Sequence, residues 1–213
     1  MVTDEFASKI QKRAEADKWV PEDKYSVFNA YDSSNYKPHR DTFNFKYRVI
    51  KAAVELTNPS SIVELGTHNG AGANALLSGA KWMVRYTGYD SFGACKNEDG
   101  DHWDPLVLVK DMFRSRNYTN YHLEICDLRC LDRIERGEFV YVDAGHDYRN
   151  AFQDLMMALH SDPKWILFDD YNGEETRLAA DDFLRNFQGD ISGTCFVNNC
   201  SGSLLIEIGR AHV

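Results

Sequence analysis

Seven short apolar runs recur along the chain, at 61–65, 84–89, 122–126, 139–142, 165–168, 193–197 and 204–208. The first five are spaced by roughly 20–35 residues, room for a crossover helix in each interval, and that spacing is the signature of βαβ units and a parallel sheet. The last two are joined only by NNCSGS, a hairpin-type connection that places an antiparallel pair at one sheet edge. The fold expected is α/β: a three-layer Rossmann-like sandwich on a mostly parallel seven-stranded sheet with a C-terminal antiparallel pair. At 213 residues, 43% of them hydrophobic, the chain has enough apolar material for one sizeable core.

Upstream, residues 3–18 carry Phe6, Ile10 and Ala14 at helical spacing behind Thr3, a candidate N-cap. Residues 19–40 are aromatic and rich in Ser, Asn and Pro without periodicity, so they read as a loop that wraps the domain or roofs a pocket. A helix follows over 41–56, ended at Asn58–Pro59. The division expected is therefore 1–40, a helical extension with an aromatic lid or a homodimer contact, and 41–213, the ligand-binding domain.

The formal net charge of −9, from 24 Lys and Arg against 33 Asp and Glu, disfavours nucleic acid and anionic membrane as partners. No apolar stretch approaches a membrane span and the first twenty residues lack a signal-peptide core, which leads to the expectation of a cytoplasmic protein. The five cysteines, Cys95, Cys126, Cys130, Cys195 and Cys200, show no paired zinc spacing and are read as reduced thiols.

The string SIVELGTHNGAGA, residues 61–73, runs a buried-type strand into three glycines and then a helix. Gly66, Gly70 and Gly72 allow close backbone approach, and the helix start offers free N–H groups. A tight strand-to-helix turn would be glycine-rich for the same steric reason. The spacing differs from the G-x-G-x-x-G dinucleotide fingerprint, which counts against a nicotinamide enzyme. Glu64, before the first glycine, suits a ligand with a cationic or hydroxyl-bearing part. Asp90 ends the second strand, where a carboxylate accepts from both hydroxyls of a ribose. Asp127 ends the third, placed either to accept from an adenine amine or to cap the next segment.

ELGTHNGAG, YDSF, CDL, FVYVDAGHDYRNAFQDL and WILFDDY, taken in succession, resemble the strand-end motifs of class I S-adenosylmethionine-dependent methyltransferases, in particular the metal-dependent small-molecule O-methyltransferases of the catechol and macrolide-sugar types. The resemblance spans roughly 41–208. It implies that Glu64, Gly66, Thr67, Asn69 and Gly70 hold the methionine part of the cofactor, with Asp90 and Ser91 at the ribose, Asp127 near adenine and Asp143 alongside. It also implies a divalent ion, Mg²⁺ by the all-oxygen donor set, on Asp143, Asp169 and Asp170. Three such carboxylates at neighbouring strand ends repel unless one is protonated or a cation lies between them. Asp169 or Asp170 as a cap for the following Asn172–Gly173 turn is the simpler alternative.

The catechol-type enzymes place a lysine base three residues after the first aspartate, where this chain has His146, a suitable acceptor of a hydroxyl proton near neutral pH. Ala73 stands where the family often has Ser or Thr, which moves a cofactor contact to Thr67, His68 or Asn69. Tyr148 and Asp154 read as packing or capping residues. The activity implied is Mg²⁺-assisted O-methylation of a small molecule; a hydroxylase-like relative and a non-catalytic cofactor-binding protein remain open beside it.

Overall fold

The protein is described here by a computed structural model, in which residues 2–20, 40–81, 83–93, 95–96 and 102–209 are placed. Most of the 19–40 segment, the side chain of Trp103 and the last four residues lie outside the described residues. In chain order the elements begin with α1 (Asp4–Ala16), α2 (Arg40–Thr57), β1 (Ser61–Leu65), α3 (Ala71–Gly79) and β2 (Arg85–Asp90). A two-residue ribbon of β3 (Cys95–Lys96) and β4 (His102–Trp103) precedes α4 (Pro105–Ser115) and β5 (Tyr121–Ile125). The remainder is β6 (Phe139–Val142), α5 (Tyr148–His160), β7 (Trp165–Phe168), α6 (Glu174–Asn186), β8 (Ile191–Val197) and β9 (Ser203–Ile208).

Seven strands form one sheet in the order β5-β2-β1-β6-β7-β9-β8, parallel except for β9, which is antiparallel to both β7 and β8. The expected sandwich is therefore the observed one. One interval departs from expectation: β5 and β6 are joined without a crossover α-helix, and only a 3-10 turn over Leu128–Cys130 lies between them. The chain runs outward from β1 through β2 to β5, then returns to β6 on the other side of β1. That reversal opens a crevice at the carboxyl ends of β1 and β6, the place where open α/β sheets bind ligands.

Alternation along the strands divides the core in two. Ile62, Tyr86, Phe139, Tyr141, Leu167 and Leu205 pack with α1 to α4 on one face. Val63, Leu65, Val140, Val142, Phe168 and Ile206 pack with α5 and α6 on the other. Both faces are covered, which is why the central strands read as continuous apolar runs. No described helix is long and apolar enough to cross a membrane.

Helix starts follow local chemistry where an acceptor is available: Asp104 accepts from the amides of Leu106 and Val107, and Asp147 from that of Asn150. Thr3 does not cap as expected. Its side chain makes no capping bond, and its backbone carbonyl instead receives the amides of Phe6 and Ala7, with Asp4 and Glu5 favouring the helix dipole. Asn58 ends α2 with a left-handed φ of 49°, ahead of Pro59.

α1 lies against the sheet. The Val2 amide donates to Glu207 Oε2 at 2.7 Å, Phe6 stacks on Trp165 with centroids 6.1 Å apart, and Ile10 and Ala14 are fully buried. Truncating Ile10 to Ala in such a site removes buried methylenes and leaves a cavity, a cost of about 2–5 kcal/mol. A lowered urea midpoint with an unchanged m-value is the expected reading for Ile10→Ala.

Candidate cofactor cleft and acid cluster

The glycine loop is held by the strands around it. The Gly66 amide donates to the Tyr89 carbonyl at 2.9 Å and the Asp143 amide donates to the Leu65 carbonyl at 2.9 Å, so the ends of β1, β2 and β6 are tied together. Gly66 has φ +92°, and a β-carbon there would collide with the Asp143 carbonyl, so glycine is required both for conformation and for approach. Gly70, at φ +85°, turns the chain into α3.

Above this loop opens a cavity of about 1080 Å³. Gly66, Thr67, His68 and Asn69 form its floor, Asp90 and Ser91 one wall, Asp127 and Arg129 another, and Asp143, His146 and Asp170 the side toward β7. Glu64, Gly70 and Asp169 lie behind the wall rather than on it.

Glu64 is fully buried, with Oε2 accepting from the Tyr86 hydroxyl and Oε1 without a partner. Burial pushes its carboxyl up to about 8. A β-carbon at Gly72 would strike Oε1, so the unpartnered oxygen sits directly under the loop. A buried, unsatisfied acceptor beneath a glycine loop is chemically suited to a cationic or donor group on a bound ligand.

Asp90 is anchored by backbone: Oδ2 accepts from the His68 amide at 2.9 Å and Oδ1 from the Phe92 amide at 2.6 Å. Each oxygen keeps a lone pair for a ribose hydroxyl. Asp127 takes the capping role. It accepts from the Arg129 amide at 3.0 Å and binds its guanidinium through both oxygens, which holds the carboxyl below its ordinary range. Arg129 thereby joins the cavity wall, a residue the strand-end pattern did not single out.

The acid cluster is where the sequence expected it. Asp143, Asp169 and Asp170 each offer an oxygen within 4.8 Å of the others. Asp169 is 2% exposed; its Oδ1 accepts from Ser201 at 2.8 Å and Ser203 at 3.3 Å. Tyr141 donates to Oδ2 of Asp143 and of Asp169, at 2.9 and 3.3 Å. Asp170 Oδ2 lies 2.9 Å from His146 Nδ1. That hydrogen bond raises the His146 pKa; in return, and against burial, it holds Asp170 low.

Sequence reasoning missed Lys46. From α2 its ammonium is ion-paired with Asp169 Oδ2 and stands 3.5 Å from Asp143 Oδ2. Burial opposes the charge, but Asp143 and Asp169 outweigh it and hold the ammonium well above its usual pKa. Burial likewise pushes the Asp143 carboxyl up, to about 7, against the pull of Lys46. A signal existed: Lys46 lies between Phe43 and Ile50 at spacings of three and four, on the face of α2 that turns inward. By donor type the three carboxylates suit a divalent ion. With Lys46 seated on Asp169 and every Asp169 oxygen engaged, the arrangement does not fit one without expelling the lysine.

No protein-family model and no curated protein matches this chain. Solved structures do match it. The SAH-bound methyltransferase PaMTH1 of Podospora anserina superposes with a TM-score of 0.59 at 13% identity, covering 99% of this chain and 98% of that one. The O-methyltransferase of Bacillus cereus in complex with SAH gives 0.58 at 14% identity, over 95% and 97%. TomG of Streptomyces achromogenes, an O-methyltransferase involved in tomaymycin synthesis and solved with SAM, gives 0.58 at 14%, over 98% and 99%. The fold of this chain is that of the class I S-adenosylmethionine-dependent methyltransferases.

Two measurements test the electrostatics. Glu64 binds a proton in the folded state up to about pH 8 that the unfolded chain releases near pH 4.5, so this stabilisation is complete below 4.5 and lost as pH rises toward 8. Urea unfolding across that window is expected to fall more steeply for the wild type than for Glu64→Gln. In Asp170→Asn the hydrogen bond that raises His146 loses its charge, and an NMR titration of the imidazole is expected to move to lower pH.

Proposed function

We infer that this chain is an S-adenosylmethionine-dependent methyltransferase acting on a hydroxyl oxygen of a small molecule, in the cytoplasm. The observation that carries this reading is that one cavity holds the clamped Gly66 loop, the anchored carboxylate of Asp90 and the His146–Asp170 pair. The cofactor, when bound, supplies an electrophilic sulfonium methyl and leaves as S-adenosylhomocysteine.

The residues divide the remaining work. Thr67, His68 and Asn69 line the floor that the methionine part would occupy, with the carboxyl of Glu64 buried behind them as a hydrogen-bonding group. Asp90, fixed by two amides, receives the ribose diol. His146 takes the acceptor's proton at Nε2, because Nδ1 is engaged by Asp170; the carboxylate orients the ring and stabilises the imidazolium that forms. With the cofactor bound, His146 and the cleft walls would hold an acceptor hydroxyl against the transferable methyl group, and the proton released from that hydroxyl would pass to His146. Holding the two reactants in one cleft supplies much of the acceleration. The Mg²⁺ expected from the family resemblance is given no step in this scheme, since Lys46 is paired with Asp169 and stands 3.5 Å from Asp143, two of the three carboxylates that would hold it.

Calorimetry with S-adenosylmethionine and S-adenosylhomocysteine is the direct test: micromolar binding by the wild type, lost in Asp90→Ala, supports the reading, and absence of binding to both ligands removes it. In an acceptor screen that follows S-adenosylhomocysteine production, His146→Ala is expected to lower kcat by about 10²–10⁴-fold, with cofactor affinity retained.

A further inference from the structure

The acid cluster is already neutralised from within the chain. Lys46, only 10% exposed, contacts Asp169 and Asp143 through one ammonium. Neither oxygen of Asp169 is unengaged: Ser201 and Ser203 donate to Oδ1, while Lys46 and Tyr141 share Oδ2. Oδ2 of Asp143 is likewise shared by Lys46 and Tyr141, and Asp170 is paired with His146. A Mg²⁺ ion needs oxygens at about 2.0–2.1 Å in near-octahedral array. Drawing one oxygen from each of the three carboxylates would set a double positive charge against a buried ammonium and break its contact with Asp169. The two cations therefore exclude each other.

We propose that Lys46 is the resident cation of this site, taking the place a divalent ion would have between Asp143 and Asp169, so that the protein binds its cofactor and transfers the methyl group without a metal. The methyl-transfer half of this statement rests on the function inferred above; the exclusion of the metal stands on the ion pairs alone. Lys46 acts here as a positioning residue. Its charge keeps two carboxylates beside the reacting groups, and α2 delivers that charge as a fixed part of the fold.

The test is a titration of the full chain with Mn²⁺, followed by electron paramagnetic resonance of the free ion, after treatment with a chelator and desalting. Wild type and Lys46→Arg are expected to show no saturable site below roughly millimolar Mn²⁺, the weak end of protein sites for divalent ions. Lys46→Gln, which removes the charge and exposes the three carboxylates to one another, is expected to gain one Mn²⁺ per chain, at least about tenfold tighter than wild type. A wild-type site that binds one Mn²⁺ at micromolar concentration and is lost in Asp169→Asn overturns the proposal. So does a folded Lys46→Gln that gains no ion. If that variant does not fold, the wild-type and Asp169→Asn titrations decide alone. Calorimetry with S-adenosylhomocysteine, with and without Mg²⁺, separates the two readings. Equal affinity in both conditions agrees with the proposal, and affinity that requires Mg²⁺ overturns it. No affinity in either condition removes the methyltransferase reading and leaves the Mn²⁺ result to judge the lysine.

Discussion

The ion pair between Lys46 and Asp169 is the contact on which the carboxyl edge of the sheet and its candidate site depend. Three aspartates converge where β6 and β7 end, Asp169 buried and Asp143 and Asp170 half-buried, and carboxylates this close to one another need a cation or a proton between them. Lys46 meets two of them and His146 the third. The demand reaches back into the architecture: α2 has to dock with Lys46 over the carboxyl edge of the sheet, and it does so by burying Tyr47, Ile50 and Val54 beside it. Removal of one partner from a buried charge pair typically costs about 3–5 kcal/mol, so the helix and the cluster are energetically one unit.

The second constraint is steric. Parallel strands all end at the same edge, so residues that follow β1, β2, β6 and β7 meet without any contact in sequence. The meeting is close enough that the Asp143 carbonyl leaves no room for a side chain at residue 66. Gly66, Asp90 and Asp143 are therefore held together by hydrogen bonds from backbone amides across three strand ends.

The comparison of chain pattern with fold is instructive residue by residue. Gly66, Asp90, Asp143 and His146 were legible because Gly66 and Asp143 directly follow apolar strands, Asp90 ends one and His146 lies in the loop after β6, and a parallel sheet brings all such positions to one edge. Asp127 was legible as a strand-end acid but not as the partner of Arg129, since a two-residue side-chain reach has no periodic signature. Ser201 and Ser203 were seen only as part of a hairpin connection; β9 running antiparallel beside β7 is what brings them under Asp169. Lys46 was the largest omission. A lysine among inward-facing positions is visible in α2, but its partners are roughly 100 residues away and come from other elements.

The sequence by itself determined the layer architecture, the glycine loop and the carboxylates at the strand ends, because local periodicity and the topology of a parallel sheet leave those positions no other arrangement. Tertiary structure alone decided which cation answers the carboxylates. Charge neutralisation is a contact between elements distant in the chain, and the choice between a side-chain ammonium and a metal ion turns on whether α2 reaches the cluster, a matter of packing that no local pattern encodes.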